Sequence, residues 1–323
     1  MRPALKPGLL AVWRDRDTLQ IGIDPRRATA LTGMAGVSGL LGLLDGSRDR
    51  LQVLVAARDL GIPEAAADRV LALLAAAGAL HDVPATAHGP VPGPMRRRLA
   101  PELATASLAH GDSDGGARTL ARRRQASIWV HGTIGAGLSL AALLSGAGIG
   151  RVRTSGPAAA PCGAADLPAG LATGHGRGQP RPDLVVLAGP CHPELPAALV
   201  SACLPHLALS AGEAIGTVGP LVVPGRSACL RCLDLARADR DPAWPLILAQ
   251  VAGRVPDPPA CDTILATAVA AQAAAQLLHF VDRAAPASAV TNGTLELVLP
   301  AWQWRRRSWQ PHSRCACGSR AGS

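Results

Sequence analysis

Three short apolar runs open the chain, at residues 9–13, 18–23 and 27–31, separated by Asp15-Arg16-Asp17 and Asp24-Pro25-Arg26. Short apolar runs bounded by Asp and Pro predict β-strands joined by turns. The spacing then lengthens to the helical period. Residues 35–44 end at Asp45-Gly46, residues 48–60 follow Ser47 as N-cap and stop at Gly61, and residues 63–77 start on Pro63 and stop at Gly78. Pro in a first turn and Gly after a last turn are the expected punctuation. In the third of these helices Val70, Leu73, Leu74 and Ala77 share one face. Three strands and three helices in residues 1–82 predict a winged-helix-like module.

From 83 to 124 the pattern breaks down. Pro84, Pro90, Pro92, Pro94 and Pro101 precede a Gly- and Asp-rich run at 111–116, which predicts a linker with little order of its own. Periodicity resumes in a second domain at 125–323. A buried strand at 127–130 leads into Gly132, Gly135 and Gly137 and a helix that ends at Gly148; a second strand follows at 151–154. Residues 155–182 are rich in Gly, Pro and Ala and read as loop with one weak helix near 166–172. A strand at 183–188, a helix at 194–203 and a strand at 205–210 complete an alternation that predicts a parallel sheet with helical crossovers, an α/β domain of Rossmann type. The longest apolar stretch, 263–281, carries Gln272, Gln276 and His279 and reads as a buried helix rather than a membrane span.

Composition adds two points to this picture. The 323 residues are 48% hydrophobic, enough for two domains with their own cores. The formal charge is +9, yet Lys6 is the only lysine and the basic residues are otherwise Arg. The Arg clusters at 96–98, 122–124 and 305–307 are small, so they read as solvated faces and no nucleic-acid or membrane partner is expected. With no apolar signal core behind Met1-Arg2-Pro3, a cytoplasmic protein is expected.

The sharpest chemistry is in two cysteine pairs, Cys229-Leu-Arg-Cys232 and Cys315-Ala-Cys317. Two such pairs supply four thiolates to a tetrahedral zinc ion, and Gly225 and Gly318 beside them offer the backbone freedom of tight turns. Disulfides are the competing reading; a reducing compartment and the strain of bridging so short a spacing weigh against it. Four thiolates leave no open coordination position, so the expected zinc is structural. His312 is an alternative ligand. Cys162, Cys191, Cys203 and Cys261 stand alone and read as packing or loop residues.

The strand, glycine turn and helix at 127–147, followed by Gly219-Pro-Leu-Val-Val-Pro-Gly-Arg226 and the cysteine pairs, resemble the ThiF family of ubiquitin-activating-enzyme-like adenylyltransferases over roughly 125–318. That family holds ATP on a G-x-G-x-x-G turn and uses a ribose-binding carboxylate, phosphate-neutralising Lys and Arg, and a magnesium-binding Asp. Here Val130 stands at the first glycine position, while Gly132 and Gly135 match the second and third. The carboxylate position falls near Gly156, the magnesium position near Pro190, and the domain has no lysine. Adenylyl transfer rests on positioning and charge neutralisation, so Gly132, Gly135 and Gly137 are read as a vestigial nucleotide loop that serves close strand-to-helix packing. ATP binding is not expected, and no catalytic residue is assigned.

The whole order, from the N-terminal module through the degenerate ThiF-like part to the closing RRRSWQPHSRCACG, resembles the leader-peptide-binding partner proteins of azoline and azole peptide biosynthesis, the TOMM precursor leader peptide-binding proteins. The resemblance implies a protein that binds a precursor's leader and presents it to a YcaO cyclodehydratase, the enzyme that spends ATP. It places the leader on the third strand, at Arg27, Ala28, Thr29, Ala30 and Leu31, against the third helix at Arg69 and Leu73, with Arg26, Arg27 and Arg69 able to pair with acidic leader residues. Each of these Arg side chains, taken singly, reads better as an ordinary solvated residue. A homodimer through the ThiF-like domain is a further option. Two other classes stay open: an adenylyltransferase that activates a peptide C-terminus, and a DNA-binding winged-helix regulator, against which stands the single basic residue, Arg69, on the third helix.

Overall fold

The computed structural model describes residues 1–83, 93–132, 135–155, 181–189, 191, 194–251, 260–285 and 287–318. The expected helix near 166–172, and the positions of Cys162, Gly156 and Pro190, lie outside them. The chain divides into two compact units, Met1–Ala121 and Arg122–Ser323.

In the first unit, β2 (Ala11–Trp13), β3 (Leu19–Ile21) and β4 (Thr29–Leu31) form an antiparallel sheet in the order β2-β3-β4. These are the three strands the apolar runs predict, β2 and β4 shortened at their starts and β3 at both ends. A second ribbon pairs β1 (Pro3–Leu5) with β5 (Leu80–Asp82); neither strand is anticipated, because three residues are too few to show alternation. Helix α1 is only Ser38–Leu41, shorter than the expected 35–44, with Gly36 at φ +76 before it and Gly42 closing it. Helix α2 (Arg50–Asp59) begins two residues late. Its N-cap is Asp49, not Ser47, because the Asp49 carboxylate accepts from Gln52 N while the Gln52 side chain takes Asp49 N, a reciprocal capping box. Ser47 instead donates its hydroxyl to Asp45. Helix α3 (Glu64–Ala76) buries Ala67, Val70, Leu71 and Leu74. These meet Leu19, Ile21, Leu31, Met34, Leu40 and Val53 in one core.

The expectation of little order at 83–124 does not hold over 93–124; residues 84–92 lie outside the described residues. Helix α4 (Gly93–His110) and helix α5 (Ala117–Gln125) occupy most of it. The last carbonyls of a helix have no intrahelical partner, and those of α4 find cations: Lys6 Nζ donates to Ser107 O at 3.2 Å and Arg27 Nη1 to Leu108 O at 2.8 Å. Both favour the negative end of the helix dipole. Leu99 and Ala106 of α4 are buried, so a segment that its prolines mark as linker is held by tertiary contact. The chain's only lysine is thereby 2% exposed.

The second unit is built on a seven-stranded sheet. Its strands are β6 (Ser127–His131), β7 (Arg151–Ser155), β8 (Leu184–Ala188), β9 (His206–Gly212), β10 (Ile215–Val222), β11 (Gly293–Val298) and β12 (Gln303–Ser308), in the order β12-β11-β10-β9-β8-β6-β7. Strands β7, β6, β8 and β9 are parallel, as predicted; β10, β11 and β12 extend them antiparallel, so the sheet is mixed. The polar residues of β12 conceal its strand character in the sequence.

Both faces of β8 are covered, and it reads as an unbroken apolar run for that reason. Leu184, Val186 and Ala188 face α6 (Ala136–Gly146) and α10 (Thr263–Val281), while Val185 and Leu187 meet Leu195 and Leu199 of α7 (Glu194–Ser201). Helix α10 is long and apolar enough to cross a bilayer, but its Leu265, Val269, Ala273 and Leu277 are fully buried in this core. Burying each large aliphatic there contributes about 1.5–3 kcal/mol. Asp262 caps it, accepting from Leu265 N at 2.7 Å. The remaining helices are α8 (Leu230–Ala238) and α9 (Trp244–Val251).

Candidate metal centre and peptide edge

Cys229 is the N-cap of α8 and Cys232 lies in its first turn, where Cys232 N donates to Cys229 O at 3.0 Å. Cys315 and Cys317 come from the segment after β12, where Cys315 N donates to His312 O at 2.9 Å. Gly225 and Gly318 take φ of +76 and +75, the left-handed turns that only glycine adopts freely. The structure brings all four sulfurs within 4.8 Å of one another. Three of the separations are 3.7 Å for Cys229–Cys232, 3.6 Å for Cys229–Cys315 and 3.6 Å for Cys232–Cys317. A tetrahedron of thiolates at the usual zinc–sulfur length of about 2.3 Å has edges of about 3.8 Å. The donor set therefore fits a tetrahedral metal ion, and the free sulfurs are too far apart for disulfides, whose sulfurs sit about 2.0 Å apart.

Crowding polarises Cys229, Cys232 and Cys315. Hydrogen bonding from Cys229 holds Cys232 down at about 4, as the thiolate, with burial opposing, while the same contact pushes Cys229 up and burial pushes Cys315 up to about 11. A divalent cation among them would favour the thiolate at every position.

His312, the alternative ligand, is committed elsewhere. Its Nε2 meets Asp239 Oδ2 at 2.8 Å and its Nδ1 accepts from Arg314 N at 3.2 Å, while Arg314 also binds Asp239. Beneath the cysteines, Trp309 is buried, donates its indole N–H to Thr294 Oγ1 at 3.0 Å, and carries the Arg237 guanidinium 5.4 Å from its ring centre. Trp244 closes on Arg237 at 5.0 Å. Ala228 N donates to Asn292 Oδ1 at 2.7 Å, tying the first cysteine pair to the entry of β11. The supports that join distant residues, Asp239 with His312, Arg237 with Trp309 and Ala228 with Asn292, had no signal in the sequence, since their partners lie more than sixty residues away.

The glycine turn shows close packing. A Cβ on Gly132 would lie 2.2 Å from Ala188 O of β8, and one on Gly137 would lie 2.2 Å from Gly132 O. Gly135 is the N-cap of α6 at φ +60. Thr133 and Ile134, between them, are outside the described residues.

In the first unit, β4 pairs with β3 on one side, Ile21 opposite Thr29 and Leu19 opposite Leu31, and has no strand on its other side among the described residues. Ala28 and Thr29 are half-buried, Ala30 is exposed and Leu31 faces the core. On α3, Leu73 is half-buried and Arg69 exposed, its Nη2 3.5 Å from Gly33 O. The expected acid-pairing Arg side chains differ in availability. Arg26 is held bidentately by Asp24 at 2.9 and 2.6 Å, and Arg27 by Leu108 O.

No family model matches the chain, and no curated protein matches its sequence. Solved structures are similar along its whole length. A heterocyclase in complex with substrate and cofactor superimposes with a TM-score of 0.68 at 15% identity, covering 99% of this chain and 39% of that one. The heterocyclase TruD gives 0.65 at 17%, covering 98% and 43%. E. coli MccB bound to AMPCPP and MccA gives 0.64 at 14%, covering 99% and 100%. The chain thus spans about two fifths of these heterocyclases and all of MccB, and it shares with all three a fold in which a small N-terminal unit precedes a mixed α/β sheet.

Proposed function

We propose that this protein binds the leader of a ribosomally synthesised precursor peptide and presents it to a YcaO-type cyclodehydratase, without itself catalysing the reaction. The observation that carries the reading is the full-length likeness to a heterocyclase solved with its substrate, joined to the loss of charge at the nucleotide positions. The winged-helix-like module is the recognition element. An extended leader adds a strand to the free edge of β4, at Arg27, Ala28, Thr29, Ala30 and Leu31, and lies against Arg69 and Leu73 of α3; main-chain bonds supply affinity and side chains supply specificity. The ThiF-like unit is a cytoplasmic scaffold in which zinc on Cys229, Cys232, Cys315 and Cys317 is structural, and Gly132, Gly135 and Gly137 serve backbone packing.

The test is fluorescence polarisation with a labelled leader from any short open reading frame that sequencing finds near this gene. Saturable binding at micromolar concentration or below is expected, as is cyclodehydration that needs this protein in addition to the YcaO enzyme. No binding by any such leader would sink the reading.

MccB supports a second reading, since this chain spans its full length and MccB has been solved with ATP. In it the chain adenylylates a peptide C-terminus. ATP–pyrophosphate exchange dependent on the peptide would establish it; a flat assay with partner and peptide present would eliminate it.

A further inference from the structure

Strand β4 is bracketed by two exposed side chains, each of which hydrogen-bonds to backbone. At its entry, the Arg27 guanidinium donates to Leu108 O in the last turn of α4. At its exit, the Asp17 carboxylate, from the turn between β2 and β3, accepts from Gly33 N at 3.0 Å and Ala35 N at 3.1 Å, and Asp17 O accepts from Met34 N at 2.9 Å. One residue thus holds three consecutive amides where Gly33, at φ +72, turns the chain away. Free edge strands are usually guarded by Lys, Pro or inward charges. This one carries Ala28, Thr29 and Ala30, small side chains that leave the edge approachable.

We propose that Arg27 and Asp17 are positioning residues that clamp β4 at its two ends and so set the length and register of the extended peptide its edge accepts. The inference rests on the leader-binding reading of that edge. Between the clamps lie residues 28–32, a length of about 17 Å at the strand rise, which matches an extended segment of about five residues. Arg27 then acts on affinity through the strand and not by pairing with a leader carboxylate, and the carboxyl end of α4 is part of the recognition module. Preorganisation of this kind lowers the ordering cost of binding.

The experiment uses the full chain. Amide hydrogen exchange is followed without peptide in wild type, Asp17→Ala, Asp17→Asn, Arg27→Ala and Arg27→Lys. The Ala variants are expected to speed exchange at residues 29–35, with partial recovery in Asn and Lys, which keep an acceptor or a donor. Polarisation with the same labelled leader should then show affinity reduced about tenfold or more in both Ala variants, the scale of a lost charge-assisted hydrogen bond, and recovered in part by the conservative ones. Affinity of a leader lengthened across the edge should level off at about five edge-binding residues. Unchanged exchange at 29–35 overturns the clamps. Faster exchange with unchanged leader affinity overturns their role in binding. A wild type that binds no leader removes the leader reading and the length rule together, while the exchange data still decide whether the clamps exist.

Discussion

Arg123 and Asp282, 159 residues apart in the chain, face each other as a bidentate pair with Nε–Oδ1 at 2.9 Å and Nη2–Oδ2 at 2.6 Å, their side chains 8% and 2% exposed. The pair joins the end of α5 to the end of α10. Asp282→Ala takes a bidentate carboxylate from a buried guanidinium and should cost about 3–5 kcal/mol in urea unfolding. An apolar replacement of both, Arg123→Met with Asp282→Leu, should recover most of that loss. A single variant with wild-type stability would show that water reaches the pair.

The cysteine cluster makes its own prediction. Purified protein should contain about one zinc per chain, and Cys229→Ser should lose it and melt roughly 5–10 °C lower, because metal binding contributes directly to folding free energy. Loss of metal with an unchanged melting temperature would contradict a structural role.

Buried His206 predicts a pH dependence. Burial pushes its imidazole down to about 4, with only a bond to Leu204 O opposing, whereas an unfolded His titrates near 6.5. Between these values the unfolded state binds more protons, so stability should fall as pH drops from about 6.5 to 4, by on the order of 2–3 kcal/mol. His206→Leu should flatten this part of the profile, measured as urea midpoints from pH 7 to 5.

Two glycines of α6 should behave oppositely when replaced by alanine. Gly137→Ala drives a Cβ into Gly132 O and should cost about 2 kcal/mol or more, whereas Gly146, with nothing within 4 Å, should gain roughly 0.5–1 kcal/mol from helix propensity. Equal effects in thermal unfolding would refute the packing role of the turn.

The bounds of the first unit are testable by truncation. A 1–121 fragment should fold, while a 1–82 fragment loses buried Leu99 and Ala106 and the Ser107 and Leu108 carbonyls that Lys6 and Arg27 hold. It should be less stable by about 2 kcal/mol or more.

By itself the sequence determined what depends on neighbours along the chain. The glycine stops at Gly61 and Gly78, the apolar strand 184–188, the buried helix 263–281 and the two cysteine pairs are local patterns, set by backbone freedom, side-chain period and donor chemistry. Tertiary structure decided what depends on distant partners. Helix α4 is held by cations from residues 6 and 27, against the warning of its own prolines; β12 is a strand because β11 pairs with it; and His312 is turned from metal ligand to Asp239 partner. Local sequence carries no record of such partners, since a carbonyl, an arginine or an imidazole takes its role from whichever group the fold brings within hydrogen-bonding distance.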